Sequence, residues 1–324
     1  PVFPPGVDPA RDRLTVRDQE TALVVVPWFH AMGTVGYLNN MVSSGITMVV
    51  FARFDPHEYL TGIEKYNATV LGGAPQLFIP LVNQPEFDAY DLSGVKIVSS
   101  GAAPLALPVL DKMLNAFSGT VCEAYGMTEC TMGATANPPD RKDIRQGSVG
   151  LPIYDTESKV VDLVSGEDLP PGEKGEICIK GPQVMQGYWN KPEETALVLK
   201  DGWLHSGDIG TMDEDGYFYI TDRKKDMIIY KGYNVYPREL EEVLFTYPEV
   251  AQCAVIGRPE MEVGEAPVAF VQMMADAKAG EEQLMEFVNT QVAAYKKIRE
   301  IRFLDAIPVS AAGKVLKREL RDMI

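Results

Sequence analysis

The stretch KIVSSGAAPL at residues 96–105 joins an apolar run, a turn of small residues and the start of a helical pattern. The apolar run at 96–99 predicts a buried strand, and the periodicity over 105–117 predicts a helix. Similar apolar runs predict further buried strands at 22–26, 47–51 and 69–71, with a helix at 56–66. Because strands alternate with helices, we expect an α/β fold with a parallel, helix-covered sheet.

The character of the sequence changes twice farther along the chain. From about Gly147, short runs separated by Gly, Pro and Asp turns predict an antiparallel, barrel-like section with strands at 158–162, 175–180 and 216–221. After Asp226, the patterns predict a compact α+β unit. Its predicted elements are a helix beginning at Pro237, strands at 251–256 and 267–273, a helix over 281–295 and a last strand containing Ile301 and Phe303.

These changes predict two domains. We expect a large domain over 1–224, made of an α/β part at 1–146 and a β-barrel-like part at 147–224, and a small C-terminal domain over 225–324. Residues 1–20 are Pro-rich and charged, which predicts a loop or linker.

Composition excludes several classes of protein. The net charge of −16 argues against a nucleic-acid partner, because a basic footprint is missing. The four cysteines have no metal-binding spacing, and reduced thiols in the cytoplasm are the default expectation. No apolar run approaches the roughly 18 residues that a membrane-spanning helix needs.

The string YGMTE at residues 125–129 is the most specific chemical signal in the chain. Tyr125 can stack on a purine ring, and Thr128 can bond to a phosphate. Glu129 can hold Mg²⁺ through a carboxylate oxygen. The ordinary reading of the string is a polar turn that ends a strand.

Other candidate residues follow predicted strands or lie in Gly-rich turns. His30 comes directly after the first strand, at an edge where α/β sheets bind ligands. Asp208 lies between glycines in GWLHSGDIG, where a carboxylate can accept hydrogen bonds from ribose hydroxyls or simply stabilise a turn. Residues 175–182 and 186–189 are interpreted as barrel strands and turns and are assigned no chemistry.

Taken together, YGMTE, GWLHSGDIG, DRKKD at 222–226 and GKVLKREL at 313–320 resemble the AMP-forming acyl-CoA synthetases of the adenylate-forming superfamily. That resemblance implies an enzyme that uses ATP, Mg²⁺ and CoA to activate a carboxylic acid and transfer it to a thiol. It also implies that the C-terminal domain is mobile, and it leaves homo-oligomer formation open.

The resemblance assigns roles to individual residues. Nucleotide binding falls to the small-residue turn, the YGMTE string and two charged residues, namely Gly101, Ala102, Ala103, Tyr125, Gly126, Thr128, Asp208 and Arg223. Catalysis falls to Lys314, His30 and Glu129, and Glu129 is also the metal ligand. Lys225 is assigned as the hinge between domains, and Gly232 as part of the tunnel for CoA.

One element of the family is not found. Its members carry a phosphate loop that is rich in Ser, Thr and Gly, upstream of the aromatic-His segment, and none of the 29 residues before His30 resembles it. We therefore expect the chain to be the C-terminal portion of a longer enzyme, with adenylation impaired in the chain alone.

The preferred substrate is a medium- or long-chain fatty acid, although aromatic acids also fit. Gly33, Gly36, Gly72 and Gly73 lie near the expected acyl pocket and are compatible with a roomy apolar tunnel. Three alternative functions stay open: an acyl- or aryl-AMP ligase that loads a carrier protein, an oxidative relative of luciferase type, and a non-catalytic nucleotide- or acyl-binding fragment.

Overall fold

A computed structural model describes residues 19–103, 105, 107–138, 143–310 and 314–324, with no side-chain description for residue 107. Nearly all of the predicted linker at 1–20 lies outside these residues. The chain divides into two compact units: one holds the chain up to Ser206 together with Gly210–Ile220, and the other holds Gly207–Ile209 and Thr221–Ile324. The predicted domain boundary at 224/225 stays a prediction.

The first unit contains a seven-stranded sheet with the order β2-β1-β3-β4-β5-β6-β7. Its first five strands are parallel: β1 Thr21–Val24, β2 Thr47–Val50, β3 Val70–Gly73, β4 Ile97–Ser100 and β5 Thr120–Tyr125. The short strands β6 Thr135–Ala136 and β7 Leu151–Pro152 continue it in antiparallel fashion. The α/β fold class with a parallel sheet is thus confirmed.

Helices connect these strands. They are the π-helical segment Met32–Asn39, α1 Asn40–Ser44, α2 Pro56–Lys65, α3 Pro75–Val82 and α4 Leu107–Ala116. Helix α2 begins where expected because Pro56 suits the first helical turn and Asp55 Oδ1 accepts the Glu58 N–H at 2.9 Å. The segments Met32–Asn39 and α3 were not predicted, since their residues are too uniformly apolar or small to show a helical period.

A five-stranded sheet follows, with the order β10-β11-β9-β8 and β12 paired to β11. Its strands are β8 Glu157–Val161, β9 Gly175–Lys180, β10 Leu199–Lys200, β11 Trp203–Met212 and β12 Phe218–Arg223, and helix α5 Pro192–Val198 precedes β10. The antiparallel pairs β8–β9 and β10–β11 confirm the predicted antiparallel section.

The second unit is built on a sheet with the order β14-β13-β16-β15, with β17 parallel to β16. Its elements are β13 Ile228–Tyr230, β14 Tyr233–Val235, α6 Pro237–Phe245, β15 Val250–Glu260, β16 Gly264–Met273, α7 Glu281–Asn289, β17 Glu300–Phe303 and α8 Lys317–Arg321. Alternate residues of β15 face two cores: Cys253 and Val255 pack with α6 and α7, whereas Ala254 and Ile256 pack with Leu320 of α8.

The predicted helix over 281–295 was too long, because α7 ends at Asn289. The Asn289 side chain donates from Nδ2 to the Ile298 carbonyl at 2.9 Å and accepts the Ile298 N–H at 2.8 Å. These two bonds tie the end of α7 to the segment that enters β17, so the chain leaves the helix early. Among the described residues, no helix is both long enough and apolar enough to cross a membrane.

Candidate functional site

Two of the predicted nucleotide-binding segments leave the parallel sheet at the same edge. Strands β4 and β5 are neighbours, with Ser100 in register with Glu123. The turn that contains Gly101 therefore begins beside the start of the Tyr125–Glu129 string. The segment that carries His30 leaves β1 at this edge too, since β1, β3 and β4 all run parallel. The carboxyl edge of a parallel sheet is where α/β folds bind ligands.

Close packing joins these segments to one another. A Cβ at Gly101 would lie 2.9 Å from Met32 Cε, and one at Gly36 would lie 2.7 Å from Met132 Sδ. A Cβ at Gly126 would lie only 1.8 Å from the Met132 carbonyl oxygen, so no larger residue fits there. The segment after His30, the Gly101 turn and the loop after Glu129 consequently form one contiguous wall.

The Gly101–Ala103 turn is held by a buried carboxylate that the sequence analysis did not assign. Glu123 is 7% exposed, and its Oε1 accepts the Leu105 N–H at 3.0 Å. Ala102 has a φ of +68°, a left-handed conformation that costs energy for a residue with a Cβ. The signal that could have identified Glu123 is a carboxylate at the end of an otherwise apolar strand.

Glu129 is fixed by a tyrosine distant in the sequence. The Tyr188 hydroxyl donates to Glu129 Oε1 at 2.8 Å, and the Met185 N–H donates to the Glu129 carbonyl at 2.8 Å. Burial, together with the hydrogen bond to Glu129, raises the pKa of Tyr188 to about 12. The sequence assigned no chemistry to residues 186–189 and gave no sign of this contact between Tyr188 and Glu129.

The surroundings of Glu129 fit Mg²⁺ bound jointly by protein and phosphate. Its Oε1 is engaged by Tyr188, and the structure gives Oε2 no hydrogen-bond partner among the described residues. In the described parts of the chain, no group of three or more His, Cys, Asp or Glu side chains is placed to hold a metal ion by itself. Mg²⁺ is commonly held by one or two carboxylates with substrate phosphates and water completing its shell. A single oriented carboxylate matches that donor set.

Tyr125 is the last residue of β5, and Thr128 lies just beyond the carboxyl end of this strand. Tyr125 is half-buried, pairs with Thr135 of β6 and packs against the core that includes Cys130 and Phe218. Thr128 is exposed and begins a short 3₁₀ turn, Thr128–Cys130. A half-buried ring and an exposed hydroxyl suit contacts with a base and a phosphate, and both roles stay predictions.

His30 has a defined ring orientation. Its backbone N–H donates to the Pro27 carbonyl at 3.0 Å, and its Nδ1 accepts the Met32 N–H at 3.3 Å. Because Nδ1 accepts, the neutral ring carries its proton on Nε2. The neighbouring aromatic residue, Phe29, is 80% exposed, so its ring is not packed into the core.

The four glycines that favoured a roomy acyl tunnel instead permit tight packing. A Cβ at Gly72 would lie 1.6 Å from the Tyr37 hydroxyl, and a Cβ at Gly33 would lie 2.2 Å from the Pro27 carbonyl oxygen. At Gly36 and Gly73 the corresponding neighbours are Met132 and Leu77. The expectation was wrong for these positions because a glycine can mark a close approach as well as open space.

Two predicted ribose-binding residues pair in the second unit. Arg223 Nε lies 3.3 Å from Asp208 Oδ1, and the carboxylate is buried while the guanidinium is half-exposed. The Lys224 N–H donates to the Gly207 carbonyl at 2.8 Å, which keeps the ends of β11 and β12 together. The pair places a hydrogen-bond acceptor, the Asp208 carboxylate, beside a donor, the Arg223 guanidinium. A ribose hydroxyl can donate to the carboxylate, and a phosphate oxygen can accept from the guanidinium.

The predicted hinge residue lies in an exposed run between two buried aspartates. Lys225 is exposed, whereas Asp222 and Asp226 on either side are buried. The two oxygens of Asp222 accept the N–H groups of Arg223 at 2.7 Å and Arg238 at 2.9 Å. Desolvation nevertheless raises the pKa of Asp222.

Gly232 lies in a hairpin, and the backbone of Lys314 bonds to Ser310. Lys231 and Gly232 connect β13 to β14 with φ angles of +50° and +82°, and a Cβ at Gly232 would meet nothing within 4 Å. Backbone conformation, not space, therefore requires this glycine. The Lys314 N–H donates to Ser310 Oγ at 3.1 Å, and its carbonyl accepts the Ser310 N–H at 2.8 Å. Residues 311–313 before it lie outside the described residues.

Two family descriptions match the chain. The AMP-binding enzyme family matches residues 7–189, and the AMP-binding enzyme C-terminal domain matches residues 239–314. A long-chain-fatty-acid–CoA ligase from Bacillus subtilis is 43% identical over 301 residues, which cover 93% of this chain and 54% of the ligase. The 4-coumarate–CoA ligase-like 6 of Oryza sativa subsp. japonica is 42% identical over 300 residues, covering 92% and 50% of the two proteins.

The fold also matches solved structures. The crystal structure of ATP-bound MatB from Rhodopseudomonas palustris superposes with a TM-score of 0.87 at 33% identity, and the match covers 95% of this chain and 61% of that one. The chain thus spans about half the length of the curated relatives that it matches.

Proposed function

Since this chain belongs to the AMP-binding enzyme family of adenylate-forming enzymes, we propose that it serves the ATP-dependent conversion of a carboxylic acid into its CoA thioester. The observation that carries the proposal is the position of Glu129, oriented by Tyr188 at 2.8 Å on the same sheet edge as the Gly101–Ala103 turn. ATP binding needs a surface for the adenine next to a group that can hold the metal ion of the phosphates.

In the first half-reaction, a carboxylate oxygen of the acid attacks the α-phosphorus of ATP, and the bond to pyrophosphate breaks. The product is an acyl-AMP. Tyr125 and the Gly101–Ala103 turn hold the adenine, and Asp208 and Arg223 hold the ribose. The Lys314 ammonium stabilises negative charge as it develops on the α-phosphate, which is electrostatic catalysis by a positioned group. When bound at Glu129, Mg²⁺ supplies positive charge to the phosphate oxygens.

In the second half-reaction, the CoA sulfur attacks the acyl carbonyl, the thiol loses its proton, and AMP leaves with the electron pair of the broken mixed-anhydride bond. A turn of the C-terminal domain about Lys225 withdraws Lys314 and brings the Gly232 hairpin to the CoA tunnel. Two conformations thereby serve two chemistries, as in other enzymes with mobile domains.

A medium- or long-chain fatty acid is the proposed substrate. The relatives that bear on this choice are a long-chain-fatty-acid–CoA ligase at 43% identity and a 4-coumarate–CoA ligase-like protein at 42%. The first supports the fatty acid, and the second keeps aryl acids in any substrate panel. His30, whose Nδ1 accepts the Met32 N–H, is proposed to face the acyl group and the adenylate.

Measuring acyl-AMP formation and CoA transfer separately tests the proposed role of Lys314, which is confined to the first half-reaction. We would compare Lys314→Ala with the parent in a longer form of the protein that adds, upstream, the phosphate loop that the family resemblance implies. Acyl-AMP formation should fall by about a hundredfold or more in Lys314→Ala, while CoA transfer from supplied acyl-AMP stays close to the parental rate. Equal loss of both half-reactions would contradict the role of Lys314. Parental acyl-AMP formation without transfer to CoA would point to a ligase that loads a carrier protein.

A further inference from the structure

A set of mostly buried charged side chains surrounds α8, the short helix that follows Lys314. Lys317 Nζ lies 2.8 Å from Glu241 Oε1, and only 16% and 17% of the two side chains are exposed. One turn farther along, Arg321 Nη2 donates to Asp226 Oδ1 at 2.7 Å. Charges removed from water must be paired, so the contact of Lys317 with Glu241 helps to hold α8 in place, and the half-exposed Arg321 adds a second contact.

Helix α6 supplies the other side of the set. Glu241 of α6 also accepts the Val255 N–H at 2.8 Å, which ties the carboxylate to β15. Asp222 accepts the N–H of Arg238 in the first turn of α6. Coulombic attraction from both Glu241 and Asp222 raises the pKa of Lys317 despite its burial, so its ammonium faces more than one carboxylate.

The hinge segment is consequently attached at both of its ends. Asp222 is attached to α6, and Asp226 is attached to α8, while Arg223, Lys224 and Lys225 between them are exposed.

Lys314 and the residues that follow it lead directly into the start of α8. The Leu316 N–H donates to the Pro308 carbonyl at 2.9 Å, and Val309 pairs with Val315. Leu320 is fully buried beside Ala254 and Ile256, which anchors the helix to the sheet.

We propose that Lys317 and Arg321 are positioning residues, and that α8 is a brace joining the Lys314 segment to Asp226, which directly follows the hinge, and to Glu241 of α6. A change in the backbone conformation at Lys225 then also changes the orientation of Lys314. A rotation at Lys225 that leaves Asp222 in β12 must break the hydrogen bond from the Arg238 N–H to Asp222. The Arg321–Asp226 pair stays intact, because both residues follow Lys225 and move together. This inference rests on the proposed function, because the roles of Lys314 and Lys225 come from it.

The first test uses the 324-residue chain itself. We would measure by mass spectrometry the rate of tryptic cleavage after Arg223, Lys224 and Lys225 in Arg321→Gln and Lys317→Met, with Lys317→Arg as the conservative variant. Arg318→Met is the matched control, since Arg318 is an exposed cation on the same helix.

Release of the brace should raise cleavage by about fivefold in Arg321→Gln, because proteolysis follows the population of locally opened chain. Lys317→Arg and Arg318→Met should stay near the parental rate. Thermal unfolding shows whether Lys317→Met still folds. If it does not, Arg321→Gln decides the test, because it removes only the contact to Asp226. Parental cleavage in Arg321→Gln overturns the brace.

The second test separates positioning from general stability. In the longer form that carries the phosphate loop, Arg321→Gln should lower the ratio of acyl-AMP formation to CoA transfer by about fivefold, and Arg318→Met should leave the ratio unchanged. An equal fall in both half-reactions means a structural role only and overturns the proposal. If the parent forms no acyl-AMP, the proposed function fails, while the cleavage test still decides whether α8 restrains the hinge segment.

Discussion

The hydroxyl of Tyr188 donates a 2.8 Å hydrogen bond to Oε1 of Glu129, across 59 residues of sequence. A second bond, from the Met185 N–H to the Glu129 carbonyl, holds the same two segments together. The Tyr188 N–H in turn donates to Thr195 Oγ1 at 2.9 Å, so the tyrosine is itself held in place. Because Tyr188 occupies Oε1 and Met185 fixes the backbone, Oε2 of Glu129 points in a defined direction.

Tyr188→Phe should weaken the interaction with Mg²⁺. Loss of an outer-shell partner of a metal ligand reduces metal affinity by roughly ten- to a hundredfold, and we expect about tenfold because Tyr188 is only partly buried. The measurements are Mn²⁺ binding in the presence of ATP, followed by electron paramagnetic resonance, and the Mg²⁺ concentration that gives half-maximal acyl-AMP formation.

Tyr66→Phe provides the matched control, since Tyr66 is a partly exposed tyrosine that directly follows α2. Saturating Mg²⁺ should restore most of the rate in Tyr188→Phe, because the phenyl ring keeps the packing. Unchanged Mn²⁺ affinity together with a rate that Mg²⁺ cannot restore would show that Tyr188 does not act through Glu129.

Gly72→Ala should destabilise the first unit. The new Cβ would lie 1.6 Å from the Tyr37 hydroxyl and 2.9 Å from Tyr37 Cζ, so overpacking should cost about 1–3 kcal/mol in the free energy of unfolding. In a Tyr37→Phe background the cost should be smaller by about 0.5 kcal/mol or more, because the closest atom is gone. Urea unfolding of the four proteins in this cycle measures the coupling, and additive effects would show that Tyr37 does not occupy the space over Gly72.

Removal of the turn anchor should also reduce nucleotide affinity. Glu123→Ala leaves the buried Leu105 N–H without its carboxylate partner, which should cost about 1–3 kcal/mol of stability. AMP binding by calorimetry should weaken as well, because the Gly101–Ala103 turn loses its support. Glu123→Gln keeps an oxygen acceptor and should recover most of both quantities. If Glu123→Ala binds AMP like the parent, the turn does not depend on this contact.

Glu300 should make the second unit sensitive to acid. Hydrogen bonds from Arg302 and Arg258 hold the pKa of Glu300 below its ordinary value of 4.5. A lowered carboxyl pKa stabilises the fold fully above that ordinary value, and the contribution disappears as pH falls through the folded-state value. Glu300→Gln should therefore cost about 0.5–1 kcal/mol at pH 7 and progressively less as the pH falls below 4.5.

Urea unfolding at a series of pH values checks this expectation for Glu300. Glu282→Gln is the control, since Glu282 is an exposed carboxylate at the start of α7. A difference between Glu300→Gln and the parent that stays constant from pH 7 to pH 3 would show that the ionised pair contributes nothing.

The fold follows largely from local patterns. The apolar runs that became β1 to β4, and the helices α2, α4 and α6, could be predicted because hydrophobic periodicity and capping residues act over a few positions. The prediction that the run at 47–51 is buried was wrong, because β2 is the edge strand of its sheet and is partly exposed. Helix α7 could not be delimited, because Asn289 ends it through bonds to Ile298 that no local pattern reveals.

The candidate site was only partly accessible from the sequence. The contiguous string at 125–129 identified Glu129, but its partner Tyr188 is brought to it by the loop after β9. At Gly72 the sequence was misleading, because a glycine is compatible with either open space or a close neighbour. The position of Tyr37 shows that the neighbour is close. The charged partners of α8 likewise come from segments about 75 to 95 residues away.

The measurement that tests the central claim most directly is CoA-thioester formation from ATP, CoA and a panel of fatty and aryl acids. It would compare the 324-residue chain with the longer form that carries the phosphate loop. We predict ATP-dependent acyl-CoA and AMP from the longer form, with medium- or long-chain fatty acids turned over fastest. AMP binding without acyl-AMP or acyl-CoA from any acid would contradict the claim and indicate a nucleotide-binding protein without ligase activity.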